Sequence, residues 1–278
     1  MALRFAIDVP NFDEFGDPLV LVDLAVRAEA AGWDGFFIWD HLVWSREPVR
    51  RVADPWVVLA AVAQATSRLT LGPLVTPLAR RRPAKVARET VTLDHLSGGR
   101  LVLGVGLGEP SDEDFAALGD AGEPRVKAAR LDEALTLIDR MWSGRQVTHA
   151  GAHFTVENLT FLPTPLQQPR IPVWVAGVWP NTAPLARARR WDGYAPLLME
   201  DGRFAKFTPA QVGEMRAVLP PLPFDLAVFG TTEVADPPAM DGYADAGLTW
   251  WCESFDPWRG TMDEQIRRID AGPPRTSP

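Results

Sequence analysis

LVLGVGLGE, residues 101–109, follows the turn Ser97-Gly98-Gly99-Arg100 and carries glycine at positions 104, 106 and 108. Its apolar part is short, partly β-branched and bounded by glycines on both sides. That pattern reads as a fully buried strand rather than a helix. Glycines at alternate positions take the side chains off one face of the strand end, so something flat or bulky can approach the backbone there. Glu109 closes the stretch where the strand should emerge. The stretch is therefore expected to be the floor of a ligand site.

Working outward, the same alternation recurs on both sides. Upstream, strands are expected at 4–9, 35–39 and 69–75, with helices at 19–31, 55–67 and 83–96. Leu21, Leu24, Ala25 and Ala28 mark one face of the first helix and Gly32 stops it. Asp54-Pro55 opens the second with a cap residue and a proline at the first helical position. Downstream, a long helix at 125–142 is followed by a small hairpin at 146–161 with Ala150-Gly151 as its turn. Strands at 172–176, 193–198, 224–230 and 248–253 then alternate with helices at 181–191, 209–218, 238–246 and 262–269. Alternation of this kind implies parallel strands with helical crossovers. Eight such units in one chain predict an α/β fold, a single (β/α)8 TIM barrel, with the hairpin inserted between the fourth helix and the fifth strand. An open doubly wound sheet is the rival, but no GxGxxG fingerprint opens the first helix. The barrel is expected to span residues 1–272, with a disordered tail at 273–278.

Composition narrows the class. A net charge of −8 and a pI near 5.1 argue against a nucleic-acid or anionic-membrane partner, which would need a basic face. The single cysteine, Cys252, excludes an internal disulfide framework and a cysteine metal site. No apolar run approaches the roughly 18 residues of a membrane span, and no leader pattern opens the chain, so a cytoplasmic protein is expected.

In a barrel the chemistry sits where strands end and βα loops begin. The strand ends deliver Asp40 and His41 with Trp44, then Val75, Thr76 and Pro77, then Gly106, Gly108 and Glu109. The later ones deliver Gly177, Val178 and Trp179, then Glu200, and finally Glu253. His41 is one of four histidines and can give or take a proton near neutral pH. Asp40 beside it should face the other way on an extended segment. The run Ser111-Asp112-Glu113-Asp114 reads as the start of a short helix, where acids complement the dipole, and Arg80-Arg81-Arg82 as a solvated loop face. Backbone N–H groups around Gly177 to Asn181 could hold a phosphate. His149 and His153 could meet across the hairpin, but without a third ligand they argue against metal. Trp250 and Trp251 must face opposite sides of their strand. Trp39, Trp44, Trp179 and Trp258 near the mouth suggest a flat aromatic or apolar ligand.

The ordered set FFIWDHL (36–42), LTLGPLVTPLARRRPAKVARETVTLDHLSGGRLVLGVGLGE (69–109), RLDEALTLIDRMWSG (130–144) and PRIPVWVAG (169–177) resembles the bacterial luciferase-like superfamily of flavin- and deazaflavin-dependent oxidoreductases. The resemblance is close to about residue 198 and loose beyond it. It implies a (β/α)8 barrel that binds FMN or the deazaflavin coenzyme F-420 at its C-terminal mouth. It implies that Asp40 and His41 lie near the ring, with His41 at the reacting centre, and that Leu74-Val75 is a cis peptide buttressing the ring face. By the same resemblance Thr76, Gly106 and Gly108 line the ring, Glu109 acts as an acid toward substrate, and Gly177 and Val178 cradle the cofactor phosphate. Trp44, Trp179, Glu200 and Glu253 fall to the substrate pocket.

Two departures bear on the substrate. Members that oxidise a sugar phosphate carry basic residues in the later loops, where this chain has Glu200 and Glu253. Trp44 comes three residues after His41, where the deazaflavin pattern has four. The expected activity is hydride transfer or monooxygenation of a small apolar or aromatic molecule, the second with a flavin reductase as partner. The resemblance also implies a homodimer. The alternatives are a metal-assisted hydrolase on the same barrel, using Asp40, His41 and Glu109, and a non-catalytic flavin-binding protein.

Overall fold

Eight parallel strand positions close around a filled interior in the computed structural model, which describes residues 2–232 and 237–274. In chain order the first half is β1 (Arg4–Val9), α1 (Pro18–Ala31), β2 (Gly35–Ile38), α2 (Pro55–Ala65), β3 (Thr70–Pro73), β4 (Thr76–Pro77), α3 (Pro83–Ser97), β5 (Leu103–Gly106) and α4 (Pro124–Trp142). The inserted hairpin is β6 (Val147–Ala150) and β7 (Thr155–Leu159). The second half is β8 (Val173–Trp179), α5 (Thr182–Ala188), β9 (Gly193–Glu200), β10 (Arg203–Ala205), α6 (Pro209–Val218), β11 (Asp225–Gly230), α7 (Pro237–Asp245), β12 (Trp250–Ser254) and α8 (Met262–Asp270). The sheet runs β3-β2-β1-β12-β11-β9-β8-β5-β4. A parallel bridge between Leu71 and Leu101 joins its two ends, which closes the expected barrel.

The helices begin and end where local chemistry dictates. Asp17 accepts from the Leu19 N–H and Asp54 from the Val57 N–H, each ahead of a proline in the first turn. Thr208 with Gln211 and Thr261 with Glu264 form reciprocal capping boxes. Gly32 ends α1 at φ 90°, a left-handed conformation that suits glycine. The buried face of α1 is Leu21, Leu24, Ala25 and Ala28, as its spacing predicts.

Strand alternation sorts side chains into two cores. Phe5, Ile7 and Val9 of β1 pack outward against the helices, while Ala6 packs inward with Phe37, Trp174, Trp250, Ala227 and Cys252. Trp250 faces inward and Trp251 outward. The rings of Phe37, Trp174 and Trp250 meet at centroid distances of 5.3, 6.0 and 5.5 Å. Arg4 lies 4.2 Å over the Trp250 ring and pairs with Asp225 at 2.6 Å, at the N-terminal end of the barrel. Aromatic volume thus fills the lower interior, so a ligand can enter only from the C-terminal mouth.

β3 and β5 depart from a plain ladder, and the glycines explain how. The expected strand at 69–75 stops at Pro73, passes through a cis Leu74-Val75 peptide, and resumes as β4. A Cβ on Gly104 would lie 2.3 Å from the Pro73 carbonyl oxygen, and one on Gly106 would lie 2.8 Å from Val75 Cγ2. The alternate glycines of β5 therefore admit the chain's own β3–β4 bulge, which seats Val75 at the mouth.

Three points differ from expectation, and the tail expected at 273–278 lies mostly outside the described residues. The hairpin closes through a Gly151 N–H to Phe154 carbonyl bond rather than at Ala150-Gly151 alone. β10 adds an antiparallel strand to β9 that the apolar pattern did not signal. Within the tail at 273–278, Pro274 is buried, and residues 275–278 lie outside the described residues. Residues 111–114 form turns ahead of a short 3-10 helix, Ala116–Leu118, instead of opening an α-helix. No helix among the described residues is long and apolar enough to cross a membrane.

Candidate active site at the barrel mouth

Above the aromatic plug the interior is apolar and half-open. Val75, Ala176 and Phe229 pack on the inner cluster but are only partly buried. They belong to the β3–β4 bulge, β8 and β11, and together are taken as the floor of the mouth. Asp8 enters this level from β1. It is two residues beyond inward-facing Ala6 and in register with Phe37 and Ser254.

His41 stands at the edge of this floor, just beyond β2, and is clamped from two directions. Its backbone N–H donates to Asn11 Oδ1 at 3.2 Å, and its carbonyl accepts from Asn11 Nδ2 at 2.8 Å. Its ring Nδ1 lies 3.0 Å from Asp114 Oδ2. An ionised carboxylate can only accept, so Nδ1 carries the hydrogen, and in the neutral imidazole Nε2 holds the lone pair. Nε2 meets no hydrogen-bond partner among the described residues. Asp114 is fully buried and also accepts from the Leu42 N–H (3.0 Å), the Val43 N–H (2.6 Å) and Arg80 Nη1 (2.9 Å). Burial works against its charge. The His41 and Val43 hydrogen bonds and the Arg80 guanidinium outweigh that, and hold its carboxyl below the ordinary carboxylate range.

Asp40 faces the opposite way, as its adjacency requires. Its buried carboxylate accepts from Thr76 Oγ1 (2.8 Å), Arg80 Nη2 (3.1 Å) and Arg81 Nη2 (2.7 Å). Thr76 in turn accepts from Trp56 Nε1 at 3.1 Å. Asp40 and Thr76 are thus spent within the protein and act behind the site rather than on a ligand. Of the arginine triplet, Arg82 is exposed as expected, but Arg80 and Arg81 are not a solvated face. Arg80 bridges the two buried aspartates with a side chain 1% exposed, and Arg81 is 16% exposed. Sequence reasoning missed Asp114, Arg80 and Arg81. The signal that could have found them is the acid excess set by Asp40 and Asp114, which burial obliges to find cations.

An aromatic wall rises beside His41. Trp44 stacks on Phe12 at 4.3 Å and 12° and meets the His41 ring edge-on at 4.8 Å. Trp258, 63% exposed, lies 5.9 Å from Trp44. Trp39 reaches down to donate from Nε1 to Asp8 Oδ2 at 2.8 Å.

Glu109 sits on the rim and is 71% exposed. It contacts Lys127 Nζ at 3.2 Å and Ser111 Oγ at 2.7 Å. Lys127, fully buried at the start of α4, also donates to the Gly108 carbonyl at 2.8 Å. The structure does not bring Glu109 against His41. A Cβ on Gly108 would meet Pro77 at 2.6 Å, so its open face is also filled by the chain.

Other expected residues fall elsewhere. Gly177 is half-buried in β8, and the space beside it is taken by Pro184, 2.2 Å from an added Cβ. Gly177 and Val178 lie inside β8, ahead of the start of α5. Val178, two residues beyond inward Ala176, shares its side of the strand, whereas Trp179 packs against the outer core. Glu200 is exposed where β9 turns into β10. Glu253 is fully buried on the outer side and bound by Arg259 (2.5 Å), the Thr232 N–H (2.8 Å) and Trp251 Nε1 (2.8 Å). Its partners therefore exclude it from a substrate pocket. His149 and His153 do not meet; Glu133 takes the His149 ring at 3.0 Å and the His153 N–H at 3.0 Å. Among the described residues no group of three or more His, Cys, Asp or Glu could hold a metal ion.

Two concavities of about 550 and 330 Å³ lie away from the floor. One is framed by residues 111–123 and the other lies where the hairpin meets α3 and α4. The second is lined by His153 with Leu137, Phe154 and Val156, but it lies on the outside of the barrel, away from the strand ends.

The chain matches the luciferase-like monooxygenase family over residues 16–273 and belongs to it. It is 40% identical over 187 residues to an F-420-dependent glucose-6-phosphate dehydrogenase of Intrasporangium calvum, a match covering 66% of this chain and 54% of that one. It is 37% identical over 175 residues to an F-420-dependent hydroxymycolic acid dehydrogenase of Mycobacterium tuberculosis, covering 62% and 48%. The matched stretch thus spans about half the length of these relatives. A solved F-420-dependent secondary alcohol dehydrogenase carrying an F-420–acetone adduct shares the fold at a TM-score of 0.77 and 18% identity, covering 97% of this chain and 98% of its own.

Proposed function

We propose that this member of the luciferase-like monooxygenase family is an oxidoreductase that uses a deazaflavin of the coenzyme F-420 type to oxidise or reduce a small, uncharged, apolar or aromatic molecule. The observation that carries the reading is His41, locked through Nδ1 by a buried carboxylate at the edge of an apolar floor, with Nε2 unengaged. The names of the F-420-dependent relatives support the deazaflavin.

The residues fit such a group. Val75, Ala176 and Phe229 offer a flat apolar bed, and the buried Asp8 carboxyl has an unpartnered oxygen above the plug. These residues would hold the ring, which when bound supplies the hydride acceptor or donor. The protein supplies orientation, exclusion of water and proton transfer. In alcohol oxidation, His41 Nε2 takes the hydroxyl proton, and the Asp114 carboxylate stabilises the imidazolium so formed. In reduction the same proton returns. Glu109, exposed on the rim, is the second acid of this proposal. Phe12, Trp44 and Trp258 offer the substrate an apolar wall.

Charge argues against a phosphorylated substrate. Arg80 and Arg81 are committed to Asp40 and Asp114, Lys127 to Gly108, Glu109 and Ser111, and Arg259 to Glu253. These cations near the mouth already have partners.

The test is anaerobic incubation of protein and coenzyme F-420 with a panel of hydrophobic secondary and benzylic alcohols, following deazaflavin absorbance. At least one alcohol should reduce the coenzyme, and His41→Ala should slow it about 10²–10⁴-fold. Turnover at the wild-type rate by His41→Ala would remove the assigned role. Oxygen consumption with reduced FMN, and none of the alcohol chemistry, would replace the reading by monooxygenation with a separate flavin reductase.

A further inference from the structure

We propose that Asp8 is a ligand-contacting acid of the mouth, whose unpartnered Oδ1 is the hydrogen-bonding position for a hydroxyl or carbonyl group of the bound organic molecule. The inference rests on the reading of the mouth as a deazaflavin or flavin site, and it adds a residue that the family resemblance does not assign.

Four observations meet at this side chain. Asp8 is 1% exposed, yet it lies at the upper, inward end of β1, at the level where Val75, Ala176 and Phe229 open to the mouth. Oδ2 accepts one bond, from Trp39 Nε1 at 2.8 Å. Oδ1 is buried without a partner among the described residues. No cation contacts it among the described residues: the neighbouring ionisable groups are Asp256, in the loop after β12, and Cys252, on the adjacent strand. His41 lies behind the Trp39 ring, at a centroid distance of 6.1 Å.

That setting disfavours the ionised carboxylate. Burial first, and the charge of Asp256 second, push the Asp8 carboxyl well above its ordinary range, against the Trp39 hydrogen bond. Asp8 is thereby biased toward its protonated form. A neutral acid is both donor and acceptor. With Oδ2 engaged as acceptor, the acid can donate to a carbonyl or accept from a hydroxyl. A buried polar atom left unpaired is costly, and an incoming hydroxyl or carbonyl removes that cost. Such a partner could belong to the ring of the cofactor or to the substrate above it.

The test compares wild type, Asp8→Asn and Asp8→Leu. Asparagine keeps the shape and a donor but does not ionise, whereas leucine keeps only bulk. The first measurement needs no cofactor. With a raised native pKa, the folded state holds more protons than the unfolded chain above pH ~4, so wild type loses stability as pH rises through that range. The stability of Asp8→Asn relative to wild type should therefore increase with pH from about 4 toward neutrality. A pH-independent difference would overturn the neutral acid.

The second measurement is equilibrium titration with coenzyme F-420 and with FMN, then with benzyl alcohol and benzaldehyde on the loaded protein. Asp8→Asn should bind within a few-fold of wild type and Asp8→Leu about tenfold more weakly. Loss toward F-420 or FMN assigns the contact to the ring. Loss toward benzyl alcohol or benzaldehyde alone assigns it to the substrate. Equal binding of all probes by wild type and Asp8→Leu overturns this inference and leaves the proposed function standing. Failure of wild type to bind either cofactor overturns both.

Discussion

His41 and Asp114 show how a single residue gains a role from a partner 73 positions away. An imidazole in water samples both tautomers; here a buried carboxylate selects one and fixes the ring. Asp114→Asn should leave the barrel folded but let the amide donate to Nδ1, placing the hydrogen on Nε2. Turnover should fall about 10²-fold or more, with coenzyme binding unchanged, when kcat and coenzyme affinity are measured separately. A parallel loss of affinity would instead mean that Asp114 only props the loop. The carboxyl is also a stability determinant. Its native pKa is lowered, so its contribution is complete above the unfolded value near 4 and lost as pH falls through the native value. Asp114→Asn should flatten that part of the acid-unfolding curve.

His41 stood out because a histidine at a strand end can give or take a proton near neutral pH, whereas Asp40, expected near the ring, has its carboxylate bound by Thr76, Arg80 and Arg81. Asp114 was not, because an acid in an acidic run satisfies a local rule about helix starts as well as a distant one about burial. The arginines failed for the same reason. Three consecutive arginines have a good local explanation in solvent, and only the fold reveals two carboxylates waiting behind them.

At the level of elements, the glycine strand β5 and the broken strand β3 define each other. The alternation at 104, 106 and 108 was legible as a place of close approach, but the approaching object turned out to be the neighbouring strand. Sequence spacing reports missing side chains without naming what fills the room. Gly104→Ala should force the Pro73 carbonyl to move and cost about 1–3 kcal/mol, a drop of several degrees in Tm at this chain length. Gly213→Ala in α6, where an added Cβ meets nothing within 4 Å, should instead stabilise by about 0.5–1 kcal/mol. Thermal unfolding of the two variants beside wild type checks both signs. Equal behaviour would mean that the β3–β4 bulge is not held by the missing side chain. Helix starts were readable to within about two residues because prolines and Asp or Thr caps announce them. β10 was not, since an exposed three-residue strand carries no apolar period.

The whole barrel was legible from the repeated strand-helix rhythm, since eight parallel units with right-handed crossovers leave few other solutions. What the rhythm did not carry was the fate of each strand-end residue. Trp179 and Glu253 are strand-end residues by sequence, yet both face outward, because alternation in a barrel makes inside and outside differ by one position. The interior is filled from below by Phe37, Trp174 and Trp250 and opens only above, where His41, Asp8 and an apolar bed share one mouth. The central claim is that this mouth holds a deazaflavin. Titration of the cofactor-free protein with coenzyme F-420 and, separately, with FMN tests it, read by quenching of the tryptophans near the site. Saturable binding of F-420, at least tenfold tighter than that of FMN, is the predicted result. Binding of neither would contradict the account.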